Sequence, residues 1–146
     1  MKKFGFTVVE MLVTLSVIAM ISVISIPLLV NYQKTSKLRN EGRALSTNLR
    51  LAQQLAITEQ NIYEVQFDLL NNRYLIVNTA DNETFKIVDL DPEIEINDVT
   101  GLTDDKVSFN PTGAVAETGL IYLTNSKSQT TTIEIKPSGY VKLTDQ

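Results

Sequence analysis

This 146-residue chain lacks two residue types on which much enzyme and metal chemistry depends, since it contains no Cys and no His. It therefore cannot form a disulfide, a thiolate or imidazole metal site, or a His-based catalytic triad. Nine acidic residues between positions 81 and 105 could suggest calcium. Their spacing does not match a calcium-binding loop with its turn Gly. The sequence predicts a protein that is not an enzyme and has no metal and no cofactor.

One carboxylate has an unusual place in the sequence. Glu10 is the only fully charged residue between Phe6 and Val30, in a run that is almost wholly apolar. A charge in a membrane helix costs a few kcal/mol at the centre of the bilayer and less near its edge. Two interpretations follow for Glu10. Either the side chain reaches the lipid headgroups, or it pairs with a positively charged partner.

The apolar run around Glu10 is long enough to cross a membrane. As a helix, residues 6–30 span roughly 37 Å, which exceeds the ~30 Å hydrocarbon core. A cleavable signal sequence has a shorter apolar core that ends in a small-x-small site, and no such site follows here. We therefore predict a membrane anchor, in which Pro27 removes one helix hydrogen bond and kinks the helix.

The helical pattern continues beyond the apolar run. One stripe of apolar residues follows at spacings of seven, four, three and four, in the order Leu38, Leu45, Leu49, Ala52 and Ala56. Residues 31–60 are therefore predicted as an amphipathic helix. Its basic residues give residues 31–59 a net charge of +3, whereas the chain from residue 60 onward has six basic and fourteen acidic residues, net −8. The basic stretch suits anionic headgroups, an acidic neighbour or a solvated helix face.

From residue 61 to residue 146 the pattern changes to that of β-strands. Apolar and polar residues alternate in short segments separated by turn residues, at 62–67, 73–77, 85–88, 94–96, 107–109, 120–123, 131–135 and 140–143. Residues 98–106 are the most loop-like. We predict an α+β fold in which the amphipathic helix covers the buried face of one antiparallel sheet.

The N-terminus resembles that of a bacterial type IV pilin or pseudopilin. Residues 1–5 form a short basic leader that ends in Gly5, and Phe6-Thr-Val-Val-Glu10 follows. In the family, a prepilin peptidase cuts between Gly and Phe and methylates the new Phe amine. The resemblance implies cleavage between Gly5 and Phe6, N-methylation of Phe6, an assembly contact by Glu10, and a helix kink at Pro27.

The head has a weaker resemblance to one pilin subgroup. Val107-Ser-Phe-Asn-Pro-Thr-Gly, Gly119-Leu-Ile-Tyr-Leu and Gly139-Tyr-Val-Lys-Leu are similar to the C-terminal half of GspH/FimT-type minor pseudopilins. The short chain and leader, and the composition rich in Ile, Asn, Thr and Lys, are nearest to the competence pseudopilin ComGD. The absence of Cys excludes the disulfide-bounded loop found in many major pilins.

The resemblance implies a minor subunit of a type IV pilus-like filament that serves DNA uptake in competence. It implies a single-pass protein of the cytoplasmic membrane with its head outside, at the cell surface or in a pseudopilus after assembly. The expected partners are other pilin subunits, the prepilin peptidase, a membrane platform protein and the lipid bilayer, with DNA contacted only through the filament. The alternatives are type II secretion, an adhesive pilus, an anchored extracellular binding domain, or a surface hydrolase with a carboxylate pair, which no spacing supports.

Overall fold

The computed structural model describes residues 5–145. A single long helix, α1 (Val8–Glu59), is followed by eight strands and one short 3-10 turn (Thr103–Asp105). The strands are β1 (Tyr63–Asp68), β2 (Arg73–Asn78), β3 (Glu83–Asp89), β4 (Ile94–Thr100), β5 (Lys106–Phe109), β6 (Gly119–Asn125), β7 (Thr130–Ile135) and β8 (Val141–Asp145). This confirms the predicted α+β fold, and each predicted strand segment corresponds to an observed strand.

The strands form two sheets, so the prediction of one sheet was wrong. Strands β3-β2-β1-β5 form the first sheet and β4-β6-β7-β8 form the second, and all of the pairings are antiparallel. The division occurs between β3 and β4, because β4 pairs with β6 and not with the preceding strand. Sequence alternation shows which residues of a strand are buried, but it does not show which strand lies beside it.

The predicted loop at 98–106 is shorter in the structure. Residues 98–100 belong to β4, and Lys106 begins β5. The register of β4 against β6 shifts between Ile96 and Asp98, which marks a β-bulge. A bulge inserts one extra residue and breaks the two-residue alternation on which the sequence prediction depended. The second half of β4 therefore has no strand-like sequence pattern.

By contact the chain divides into two units, Met1–Gln33 and Lys34–Gln146. In the described part of the first unit, α1 has no buried side chain. The second unit contains the remainder of α1 and both sheets, with a core to which helix and strands contribute. The whole predicted stripe on the helix is buried in this core: Leu38, Leu45, Leu49, Ala52 and Ala56. This result confirms the amphipathic pattern of residues 31–60.

Gly42 also lies on the buried face of α1. A Cβ atom at this position would lie 3.0 Å from Leu143 Cδ1 and 3.0 Å from Thr131 Cγ2. These side chains belong to β8 and β7. The missing side chain thus allows the helix to approach the second sheet closely.

Asn72 joins the two sheets. Its side-chain amide donates a hydrogen bond of 2.6 Å to the carbonyl of Ile94, and its Oδ1 accepts one of 3.1 Å from the amide of Ile96. Asn72 is the last residue of the β1–β2 turn and has a φ of 51°, a left-handed conformation that Asn tolerates better than most residues. It thereby satisfies backbone groups on the outer edge of β4.

Candidate functional site

The first turn of α1 contains a capping box formed by Thr7 and Glu10. The amide and the hydroxyl of Thr7 both donate hydrogen bonds of 2.9 Å to Glu10 Oε2. In return, the amide of Glu10 donates a 3.2 Å bond to Thr7 Oγ1. This reciprocal pattern satisfies amide groups at the start of the helix that have no intrahelical partner. The sequence analysis missed this role for Glu10, although the Thr-x-x-Glu spacing is its usual signal.

Gly5 and Phe6 lie immediately before this cap, outside the helix. A Cβ atom added to Gly5 would meet no atom within 4 Å, and Phe6 is 81% exposed. The peptide bond between them is therefore open on the surface of the chain. The rest of the predicted leader, residues 1–4, lies outside the described residues.

The first half of α1 has the properties predicted for a membrane segment. Within the described residues, α1 is the one helix long and apolar enough to cross a membrane, by length and composition. Its hydroxyl groups bond to carbonyls three or four residues earlier, as expected: Thr14 to Met11, Ser16 to Leu12 and Ser22 to Ile18, at 2.8–2.9 Å. The helix continues on both sides of Pro27, and a kink there stays a prediction.

Within the second unit, two loops hold the beginning of its helical part. From the β6–β7 loop, Ser126 accepts a hydrogen bond of 3.0 Å from Lys34 Nζ, and Gln129 accepts one of 3.0 Å from the Thr35 hydroxyl. From the β3–β4 loop, Asp91 and Glu93 form ion pairs with Lys37 at 3.1 and 2.8 Å. We call residues 34–37 with these two loops the collar.

The collar shows which groups neutralise the first part of the basic stretch. The hydrogen bonds that Lys37 donates to Glu93 and then to Asp91 raise the pKa of Lys37. The pKa of Asp91 is lowered, mainly by a hydrogen bond from the backbone amide of Glu93 and then by Lys37. Glu41 lies one turn further along the helix, and burial raises the pKa of its carboxyl group. Lys37 therefore pairs with two acidic residues of its own chain.

Further along the helix, Gln53 holds two turns of the head together. Its side-chain amide donates hydrogen bonds to the carbonyl of Gly113 at 2.7 Å and to that of Ser138 at 3.3 Å. Gly113 and Gly139 both have positive φ, and a Cβ atom on Gly139 would lie 2.1 Å from the carbonyl oxygen of Gly113. The Asn-Pro-Thr-Gly and Pro-Ser-Gly turns identified in the sequence thus meet at one helix residue.

The structure keeps Gly5, Phe6 and Glu10 together at the start of α1, with Pro27 separate in the same helix. In the described part of the chain, no group of three or more Asp or Glu residues could hold a metal ion. The arrangement presents an exposed bond, a capped carboxylate and a long apolar helix. These features suit processing and helix-to-helix assembly.

The sequence of the head identifies its family. Residues 41–139 match the sequence profile of the family described as "Type II transport protein GspH". The chain belongs to the GspH family. No curated protein matches the chain in sequence. The GspH match begins at residue 41, so the Gly5-Phe6 and Glu10 motif lies outside it and is a separate observation.

Solved structures of two minor subunits share the fold of this GspH-family chain. The minor pseudopilin EpsH from the type 2 secretion system of Vibrio cholerae aligns with a TM-score of 0.63 and 15% identity, over 75% of this chain and 97% of EpsH. The type IV minor pilin FimU of Pseudomonas aeruginosa aligns with a TM-score of 0.61 and 12% identity, over 77% of this chain and 92% of FimU. The pilin-like fold predicted from the sequence is therefore confirmed.

Proposed function

We propose that this chain is a minor pilin-like subunit that is processed between Gly5 and Phe6 and assembled through its N-terminal helix into a type IV pilus-like filament. The observation that carries the proposal is the Gly5-Phe6 bond, exposed directly before a capped apolar helix. The family match and the fold support it independently. The coarser conclusion, a GspH-type pseudopilin, follows from the family itself.

In the proposed mechanism, the chain enters the cytoplasmic membrane with its head outside and its leader in the cytoplasm. The prepilin peptidase removes residues 1–5 and methylates the amine of Phe6. Membrane platform components then draw the subunit from the bilayer, and the apolar helices associate in the filament core. The exposed apolar side chains along residues 8–30 require such a partner, either lipid or other helices.

Glu10 is proposed to pair with the Phe6 amine of an adjacent subunit. The capping box already gives Oε2 two donors from Thr7, which compensates part of the desolvation of the carboxylate. A buried ion pair gains Coulomb energy but costs desolvation, so its main effect is on register. A subunit in the wrong register would leave an unpaired charge in an apolar core.

The biological process is proposed to be DNA uptake in competence, with DNA contacted through the assembled filament. The resemblance to ComGD supports this assignment. Type II secretion is the second candidate, favoured by the family description and by the likeness to EpsH. Deleting the gene and measuring transformation and protein secretion in parallel separates the two. A loss of secretion with normal transformation would reject the competence assignment.

Replacing Gly5 by Leu tests the processing step. We expect the unprocessed precursor to accumulate in the membrane, because a bulky side chain would occupy the position next to the cut. The matched control is Gly42→Ala, which is remote from the cut. Normal processing of the Gly5→Leu chain would argue against a prepilin peptidase substrate.

A further inference from the structure

In the collar, Lys34 and Lys37 bind side chains of the head. Two further basic residues of the helix, Arg43 and Arg50, lie outside the collar. Arg43 and Arg50 are both exposed on α1. Arg50 donates one hydrogen bond, of 3.3 Å, to the carbonyl of Val141. Arg43 forms no side-chain hydrogen bond or ion pair with any described residue. The two are seven positions apart, so they lie on the same face of the helix.

The residues around this pair do not neutralise it. Arg43, Thr47, Arg50 and Gln54 form one exposed stripe on α1, which we call the arginine stripe. A solvated helix face often places an acidic residue three or four positions from a basic one. No residue three or four positions from either arginine is acidic. The positive charge of the stripe is therefore uncompensated along the helix.

Lipid headgroups do not explain the stripe. Lys34 begins the second unit, and at 1.5 Å per residue Arg43 lies about 13 Å and Arg50 about 24 Å further along the helix. The Debye length at physiological ionic strength is ~8 Å. Even with Lys34 at the level of the headgroups, both guanidinium groups would be largely screened from anionic lipid.

Nucleic acid is also a poor match for the stripe. The chain from residue 60 onward carries a net charge of −8, and such a head repels a phosphate backbone at long range. Two copies of this acidic head would repel one another for the same reason. An uncompensated pair of arginines on the helix would reduce that repulsion.

We propose that the arginine stripe binds carboxylates on the head of a neighbouring filament subunit. This proposal rests on the filament role and names the partner chemistry of one of its contacts. Arg is suited to this contact, because its planar guanidinium can donate two parallel hydrogen bonds to one carboxylate. Exposed carboxylates of the required kind occur on this chain itself, for example Glu95 on the edge strand β4.

Carbodiimide cross-linking tests the contact, since it joins an amine to a carboxylate that touches it. Arg43→Lys and Arg50→Lys variants place amines on the stripe and keep its charge. The Lys37–Glu93 ion pair of 2.8 Å is an internal positive control within one chain. The exposed Lys136, between β7 and β8, gives the background for a surface lysine.

In sheared filaments, we expect peptides that join the lysine introduced at position 43 or 50 to an Asp or Glu of another subunit. The membrane pool of unassembled chain should lack them. If the Lys37–Glu93 link forms and neither introduced lysine links to another subunit, the proposal is wrong. If the unsubstituted chain never enters filaments, the filament role itself fails, and the proposal fails with it.

A charge reversal gives a second, independent test. The Arg43→Glu, Arg50→Glu double variant should be processed normally but enter filaments about tenfold less, a factor that corresponds to roughly 1.4 kcal/mol. Lys127→Glu, Lys136→Glu changes the net charge equally, at exposed loop positions of the head. Equal loss in both double variants, or normal assembly of the arginine variant with loss of DNA binding, would contradict the proposal.

Discussion

The side-chain amide of Asn48 donates a hydrogen bond of 2.6 Å to the hydroxyl of Tyr74, and both side chains are buried. Lys86 completes the arrangement by donating a 3.0 Å bond to Asn48 Oδ1. These contacts link α1 to β2 and β3. They join the helix to the first sheet by polar contacts, in addition to the apolar core.

Replacing Tyr74 by Phe should destabilise the chain by roughly 1–3 kcal/mol, because the buried amide of Asn48 would lose its acceptor. Urea unfolding of the full chain in detergent, followed by the signal of the β-rich head, measures the change. Tyr140→Phe is the matched control, since Tyr140 is 55% exposed. Equal stability of the two variants would show that the buried hydrogen bond has no net effect.

The stability of the chain should decline at alkaline pH. Burial raises the pKa of Tyr74 to about 12, and burial with the nearby Glu59 carboxylate raises that of Tyr63 to about 12. Since an unfolded Tyr has a pKa of about 10, the folded state binds more protons between pH ~10 and ~12. The free energy of unfolding therefore falls as pH rises through this window. Unfolding free energies measured from pH 8 to 11 should show a shallower fall in Tyr74→Phe, and an unchanged slope would contradict this explanation.

Gly139→Ala should destabilise the chain far more than Gly42→Ala. Gly139 has a φ of 75°, and its Cβ would overlap backbone at 2.1 Å, so we expect a loss of more than about 2 kcal/mol or a failure to fold. At Gly42 the contacts of 3.0 Å are with side-chain methyl groups and not with backbone. Alanine also stabilises a helix interior by about 1 kcal/mol relative to glycine. Thermal unfolding should therefore show little change for Gly42→Ala, and a large loss there would mean that the helix cannot move from the second sheet.

The sequence predicted the fold class and the helix stripe because both depend on local periodicity. Leu45, Leu49 and Ala52 lie at helical spacing and are buried as expected. The division into two sheets depends on the partner of β4, which no local pattern encodes. The bulge at Ile96 and Asp98 also concealed the second half of that strand. Long-range contacts could not be predicted from the sequence either. The ion pairs of Lys37, for example, join it to Asp91 and Glu93, which are 54 and 56 positions away.

In the candidate site, too, local motifs could be predicted from the sequence and contacts between distant residues could not. Gly5, Phe6 and Glu10 form a local motif and could be identified from their order in the sequence. The Thr-x-x-Glu spacing also predicts the capping role of Thr7, but Glu10 was interpreted through its charge alone. By contrast, the meeting of Gly113 and Gly139 at Gln53 joins residues that are far apart in the chain. This contact could be identified only from the structure.

The most direct test of the account is the amount of chain in sheared filaments for Glu10→Gln and Glu10→Val. Glutamine preserves a capping box and removes the charge, whereas valine removes both. We predict that both variants are processed and that both are largely absent from filaments, because assembly requires the charge. Normal incorporation of Glu10→Gln would contradict the proposed pairing with the Phe6 amine and leave Glu10 as a helix cap.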